Sequence, residues 1–372
     1  MIDKKRLLKT FIELVNINSP SKNEKTLVSY IKNIFKNKAV IYEDNAAKKI
    51  GGTSGNVIIR FKANKKHIPP IAFLSHLDTV RPTSGLRLIR RKNILSTDGT
   101  TILGADDKVG IAAMIELGKL LLEDSISHGD ITLIFTVAEE IGLYGSRQLD
   151  LKRIKSDHTY VLDSAEMDVG GVVTKAPSLE KIYIEIKGKA AHSGVEPDQG
   201  INALSIASKA LSSIKAGKVN KETTVNFGVI HGGHATNIVP DCIEIEGEVR
   251  SHNARLLRNK VKEIKRIFEN VSRQYGGKVM LKTYREFESF NLTHSPTVDF
   301  VKRADKSIGL PFHTLSSGGG SDANILNALG HHAVVLNIGI IGAHTVNEKV
   351  PIENINRLTM LILAIAKVIS DK

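Results

Sequence analysis

The chain has 372 residues, 41% hydrophobic and 24% charged, with 52 Lys and Arg against 39 Asp and Glu and a formal net charge of +13. That length is too great for one ordinary core and suits two domains, and the composition is that of a globular protein able to bury a large core. The charge would admit nucleic acid, but the basic residues are spread along the chain and there is no Trp, so neither a dense basic tract nor a stacking platform is present and nucleic acid is excluded as a partner. The positive balance favours small anionic substrates such as peptide carboxylates instead.

The first residues run directly into a helical pattern without the apolar stretch and cleavage site of a secretory signal, and no later run approaches the roughly 18 apolar residues of a membrane span. A cytoplasmic protein with no membrane partner is expected. The single cysteine, Cys242, has no partner for an internal disulfide and reads as a half-buried strand residue. Residues 4–37 give two helical stretches broken at Ser19-Pro20-Ser21. Runs at 56–61, 71–75 and 131–137 are apolar and rich in β-branched residues, with an amphipathic helix at 109–122 between two of them. Strands buried on both faces and alternating with helices describe an α/β domain, a mixed central sheet with helices on both faces.

Near residue 176 the texture changes to strictly alternating segments in the order β-α-β-β-α-β, with helices near 201–214 and 254–275. Alternation with one polar face predicts a four-stranded antiparallel sheet covered on one side by two helices, an inserted α+β lid domain. The buried texture returns with a helix at 296–308, a Gly-rich turn at 316–322, a strand at 333–338 and a helix from Ile352. A discontinuous domain, 1–175 and 293–372, therefore encloses an insertion at 176–292.

Polar residues gather where the apolar strands end. His76-Leu77-Asp78 follows one such strand, its two polar side chains on one face. Glu139-Glu140 ends another and Asp163 a third, while His344 follows the strand at 333–338. In Gly104-Ala105-Asp106-Asp107-Lys108 the carboxylates stand at a helix start, where capping is the ordinary role and bridging of two cations the alternative. Two adjacent carboxylates at a strand end can divide labour, one binding metal while the other takes a proton from water. The insertion adds His192, Asn237 and Arg250, an imidazole, an amide and a guanidinium suited to polarising a carbonyl and holding a carboxylate. The loop Ser317-Gly-Gly-Gly320-Ser-Asp322 lacks the Gly-Lys-Ser/Thr of a phosphate cradle and is read, with Gly319 and Asp322, as lending groups to a substrate.

Taken together, Ser75-His-Leu-Asp-Thr, Ser96-Thr-Asp-Gly-Thr-Thr-Ile-Leu-Gly-Ala-Asp-Asp-Lys, Ala138-Glu-Glu-Ile-Gly, Ala191-His-Ser-Gly and Gly319-Gly-Ser-Asp resemble the dinuclear-zinc peptidase family of peptidase T, carboxypeptidase G and aminoacylases, its peptidase T branch above all. The resemblance spans nearly the whole chain. It implies two Zn2+ per subunit, with Co2+ or Mn2+ as substitutes, Asp106 bridging, His76 and Asp163 completing one site, and Glu140 and His344 the other. It also implies Glu139 as general base supported by Asp78, lid residues His192, Asn237 and Arg250 reaching the substrate, and a homodimer formed through the lid. The expected activity is hydrolysis of short peptides, of the tripeptide aminopeptidase type. The alternatives are hydrolysis of an N-acyl amino acid and a non-catalytic peptide-binding role on the same fold. The Gly-rich loop departs from the peptidase T pattern, where an Arg and a Thr are expected, and leaves peptide length open.

Overall fold

Strands rich in Val, Ile and Phe stack into a sheet whose inner members have no polar face to turn outward. The computed structural model describes residues 2–123 and 126–370. The described chain divides into two units, one of residues 1–175, 291–317 and 321–372, the other of 176–290 and 318–320.

In the larger unit the sheet order is Val40–Glu43, Val57–Phe61, Ile131–Thr136, Ile71–His76, His158–Ser164, Ala333–Asn337 and Gly171–Ala176. The four strands from Ile131–Thr136 to Ala333–Asn337 are mutually parallel, whereas Val57–Phe61 and Gly171–Ala176 run antiparallel to their inner neighbours. The register sets His76 opposite Thr136 and Leu74 opposite Val161. The parallel strands therefore finish side by side, and the loops leaving them open on one edge of the sheet, where α/β folds place their sites.

Helix Ala105–Leu122 lies on this sheet and is covered in turn by helices Lys4–Val15 and Ile352–Ser370. It is buried on nearly every side rather than amphipathic as its pattern suggests, because a second layer of helices shields the face that would otherwise meet water. Gly118 permits one close approach: a Cβ there would stand 2.7 Å from the Phe35 ring. The first turn is irregular, for Asp106 and Asp107 have non-helical backbone angles and the peptide bond between them is cis. An additional three-stranded sheet, Leu88–Arg91, Ile94–Thr97 and Lys349–Pro351, anchors the chain just after residue 348.

The smaller unit is an antiparallel sheet in the order Gly217–Lys218, Thr223–Gly232, Cys242–Ser251, Ser178–Lys187 and Lys278–Phe287. Four long strands match the alternating segments of the sequence, and the fifth is a two-residue addition at one edge. Ile182, Ile184 and Ile186 alternate inward and share a core with Leu257, Ile264 and Phe268 of helix Ala254–Gln274. Among the described residues, no helix is long and apolar enough to cross a membrane.

Candidate active site

His76 is the last residue of its strand and is buried together with Asp78. Its Nδ1 faces the Asp78 carbonyl oxygen at 3.0 Å, which orients the ring and turns Nε2 toward Asp106 Oδ1, 3.2 Å away, and Asp163 Oδ1, 3.6 Å away. The other oxygen of Asp106, Oδ2, lies 3.1 Å from His344 Nε2, which also stands 3.3 Å from Glu140 Oε1. One carboxylate thus faces a different histidine with each oxygen. Around it the groups His76, Asp106, Glu140 and His76, Glu139, Asp163 each bring their ligand atoms within 4.8 Å of one another.

Packing this many carboxylates together out of water raises their proton affinity unless positive charge is close. Burial, reinforced by the Asp163 charge, holds the Glu139 carboxyl well above its ordinary range, and burial lifts Asp163 to about 7 although His76 partly offsets it. Asp106 is also desolvated, but hydrogen bonds from His344 and His76 outweigh that and hold it low. The imidazoles respond in the opposite sense. Burial alone would depress His76, yet Asp106, Asp163 and Asp78 hold it well above its usual value, and Asp106 with Glu140 raises His344 to about 10. Glu140 Oε1 is buried, and its ion pair with His344 at 3.3 Å falls short of a well-formed hydrogen bond. An excess of inward-facing carboxylate oxygens over two imidazole nitrogens is a donor set that suits a pair of divalent cations.

The backbone carries strain at the same places. Ala138 (φ 52°) and His344 (φ 65°) are held in the left-handed region that side chains disfavour. Surrounding groups hold the turn at Ala138 in place. Asp78 accepts hydrogen bonds from the Glu139 and Glu140 N–H groups at 2.9 and 3.2 Å, and Asn56 accepts from Val137 N–H at 3.0 Å.

The sequence did not point to Glu348. It is almost fully buried, and its carboxylate accepts from the Gly104 and Asp106 N–H groups at 2.7 and 3.0 Å. Burial raises this carboxyl to about 7 despite those donors. It joins the loop of His344 to the loop of Asp106. Its only sequence signal is its place four residues after His344 in a loop leading into a buried strand. Lys108 is equally buried, donating to the Ile17 carbonyl at 2.7 Å, and burial pulls its ammonium down to about 7.

Asp322, expected to lend a group to the substrate, is engaged inside the unit. The Ser321 cap turns this first residue of helix Asp322–Ala328 into the interior, where it is fully buried and its Oδ2 accepts from Thr136 Oγ1 at 2.6 Å. In the smaller unit His192 and Asn237 are exposed on adjoining loops, joined where Ser193 N–H donates to the Asn237 carbonyl at 3.0 Å. Arg250 is already engaged: Nε donates to Glu248 at 2.7 Å and Nη1 to the Gly318 carbonyl at 3.1 Å, beside the half-buried Gly319.

A parallel-stranded α/β unit with acidic and histidine side chains converging past its strand ends, joined to a small antiparallel α+β unit, has the architecture of the metal-dependent peptidases. A dinuclear metal-binding peptidase of the M20 family from Bacillus subtilis shares that fold, with a TM-score of 0.75 at 18% identity over 99% of this chain and 98% of that one. Residues 179–276 match the model of the peptidase dimerisation domain, and residues 56–192 that of peptidase family M28. A crystal structure of a tripeptidase from Staphylococcus aureus is 37% identical with a TM-score of 0.96 over the whole of both chains. The aminopeptidase PepT of Bacillus cereus is 37% identical with a TM-score of 0.94 over 99% of each. The uncharacterized protein YqjE of Bacillus subtilis is 40% identical over 98% of both chains. This chain belongs to the peptidase T-like branch of the M20 peptidases, and it is a peptidase.

Proposed function

We propose that the protein is a zinc-dependent exopeptidase acting on short peptides, tripeptides among them. Asp106 would bridge two zinc ions, His76 and Asp163 completing one site and Glu140 and His344 the other. The observation that carries this reading is the split of the Asp106 carboxylate, 3.2 Å to one histidine and 3.1 Å to the other. When bound, the metal pair supplies Lewis acidity, making water a nucleophile near neutral pH and polarising the scissile carbonyl.

Glu139 takes the proton released as water oxygen bonds to the amide carbon, and returns it to the amine as the carbon–nitrogen bond breaks. Asp78 supports this by receiving the Glu139 and Glu140 N–H groups and fixing the His76 ring. His192 and Asn237 serve as polar contacts for the substrate, and Gly319 lends backbone, with Arg250 ordering the Gly-rich loop. Tripeptide hydrolysis is supported by the names of the two relatives at 37% identity, a tripeptidase and an aminopeptidase PepT.

The smaller unit is assigned as a lid that also pairs subunits. The match of residues 179–276 to a peptidase dimerisation domain supports this, as do the exposed Tyr183, Met280 and Tyr284 on its sheet. Cytoplasmic residence belongs to the same reading, supported by the single cysteine, which is unpaired.

The decisive experiment measures zinc content and trialanine hydrolysis in the wild type and in Glu139→Gln. Two zinc ions in both proteins, with activity in the wild type alone, is the expected result. Full activity in the variant removes Glu139 as the base. An N-acetylated tripeptide assayed beside the free one tests the aminopeptidase assignment, which fails if only the blocked peptide is cleaved.

A further inference from the structure

The turn that carries Glu139 is held by more than the residues already assigned to it. Four consecutive N–H groups, from Val137 to Glu140, are each received by a side chain. Asn56 takes the first, Glu24 Oε1 the second at 3.0 Å, and Asp78 the third and fourth. Glu24 stands at the start of helix Lys25–Phe35, where an acidic side chain ordinarily caps the helix. It makes no such cap. The carboxylate turns inward instead, has no exposed surface, and also accepts from Lys22 N–H at 2.8 Å, while its Oε2 is buried without a partner.

Burying a carboxyl with an unsatisfied oxygen is unfavourable, and its proximity to Asp78 adds like-charge repulsion. Burial, with the Asp78 charge, raises Glu24 to about 7. An apolar residue would avoid both penalties and leave the helix intact. What it could not do is receive the N–H of Ala138, the residue held at φ 52° where the backbone turns sharply between the strand and the two glutamates. Ser21 of the same loop donates to Asp78 Oδ2 at 2.6 Å, so one loop steadies both carboxylates that grip the turn.

We propose that Glu24 is a positioning residue for the reaction, fixing the strained turn at Ala138 so that Glu139 and Glu140 take up their separate directions. This rests on the reading of Glu139 as the base. The requirement is an acceptor at the reach of a glutamate side chain; its charge is secondary. Misplacing a reacting group by about 1 Å lowers turnover by as much as 100-fold while leaving substrate affinity nearly intact.

The test compares Glu24→Gln, Glu24→Asp and Glu139→Gln, each loaded with zinc, for zinc content, circular dichroism and the kcat and KM of trialanine hydrolysis. Glu24→Gln keeps an acceptor at the same reach and is expected to retain kcat within about threefold. Glu24→Asp keeps the charge but is one methylene short. Its kcat is expected to fall on the order of 10- to 100-fold with KM within about threefold and two zinc ions still bound. Wild-type kcat in Glu24→Asp, or a loss appearing in KM alone, overturns the proposal. So does a folded, zinc-loaded Glu24→Gln whose kcat falls by about 10-fold or more, and this outcome decides the matter even if Glu24→Asp does not fold. Activity in Glu139→Gln refutes the base assignment, whereas an inactive Glu139→Gln beside an unaffected Glu24→Asp refutes the role of Glu24 alone.

Discussion

Replacing Glu348 by Ala removes the acceptor for two buried N–H groups, those of Gly104 at 2.7 Å and Asp106 at 3.0 Å. Each buried donor left without a partner costs about 1–3 kcal/mol, so the pair predicts a loss of roughly 2–6 kcal/mol, with the vacated space adding a little and the relief of a desolvated carboxyl subtracting from it. Glu348→Gln retains one oxygen acceptor but sets an amide N–H2 where the other oxygen stood, and is expected to lose about half as much. Because the second of these N–H groups belongs to Asp106, the proposed bridging ligand, a loss of metal binding is expected as well. Urea unfolding followed by circular dichroism measures the first effect, and calorimetric titration of zinc into chelator-treated protein the second. A Glu348→Ala protein within about 0.5 kcal/mol of wild type, binding two zinc ions with unchanged affinity, would refute the reasoning.

Asp305, in helix Pro296–Ile308, is buried with neither carboxylate oxygen hydrogen-bonded, and burial raises it to about 7. Between about pH 4 and 7 the folded protein therefore holds a proton that the unfolded chain releases, and wild-type stability falls as pH rises through that window. Asp305→Asn escapes this loss. Its advantage in urea melts should be absent below about pH 4, grow toward pH 7 and level off at on the order of 1–2 kcal/mol; a gap independent of pH would contradict it. Gly145→Ala would set a Cβ 2.0 Å from the Val137 carbonyl oxygen and 2.7 Å from Asn56 Oδ1, forcing the turn that carries Glu139 to move. A stability loss of about 1–3 kcal/mol with a larger proportional loss of kcat is expected, and unchanged kinetics would show that the turn tolerates displacement.

The gathering of His76, Glu139, Glu140 and Asp163 was legible in the sequence because each stands at or just past the end of a run whose burial is written in its composition. Ile71 to Leu74 and Ile131 to Val137 have no polar face, so His76 and Glu139-Glu140 had to stand where a buried strand ends. The residues that steady that set were not legible. Glu24 and Glu348 accept from backbone N–H groups 114 and 242 to 244 residues away, and such groups are identical at every position of the chain except proline. Asp107 shows the limit from the other side. Its place at the start of a helix suggests a cap, and Oδ1 does accept from Gly110 N–H at 3.1 Å, but the residue is also fully buried and hydrogen-bonded to Ser75, a relation only the folded sheet creates. The helix at 109–122 was read as amphipathic because a sequence records one shielding layer more readily than two.

The strand Ala333–Asn337 lies between His158–Ser164 and Gly171–Ala176, so the last long strand of the chain fills the middle of the sheet rather than its edge. His344 follows it. During synthesis, residues that meet in the finished sheet must wait for a partner still being made, and the second histidine facing Asp106 arrives with it. A nascent chain carries His76, Asp106 and Asp163 long before it can bring His344 to them. The cluster around Asp106 therefore closes only after the strand leading to His344 has been made and has found its place between its neighbours.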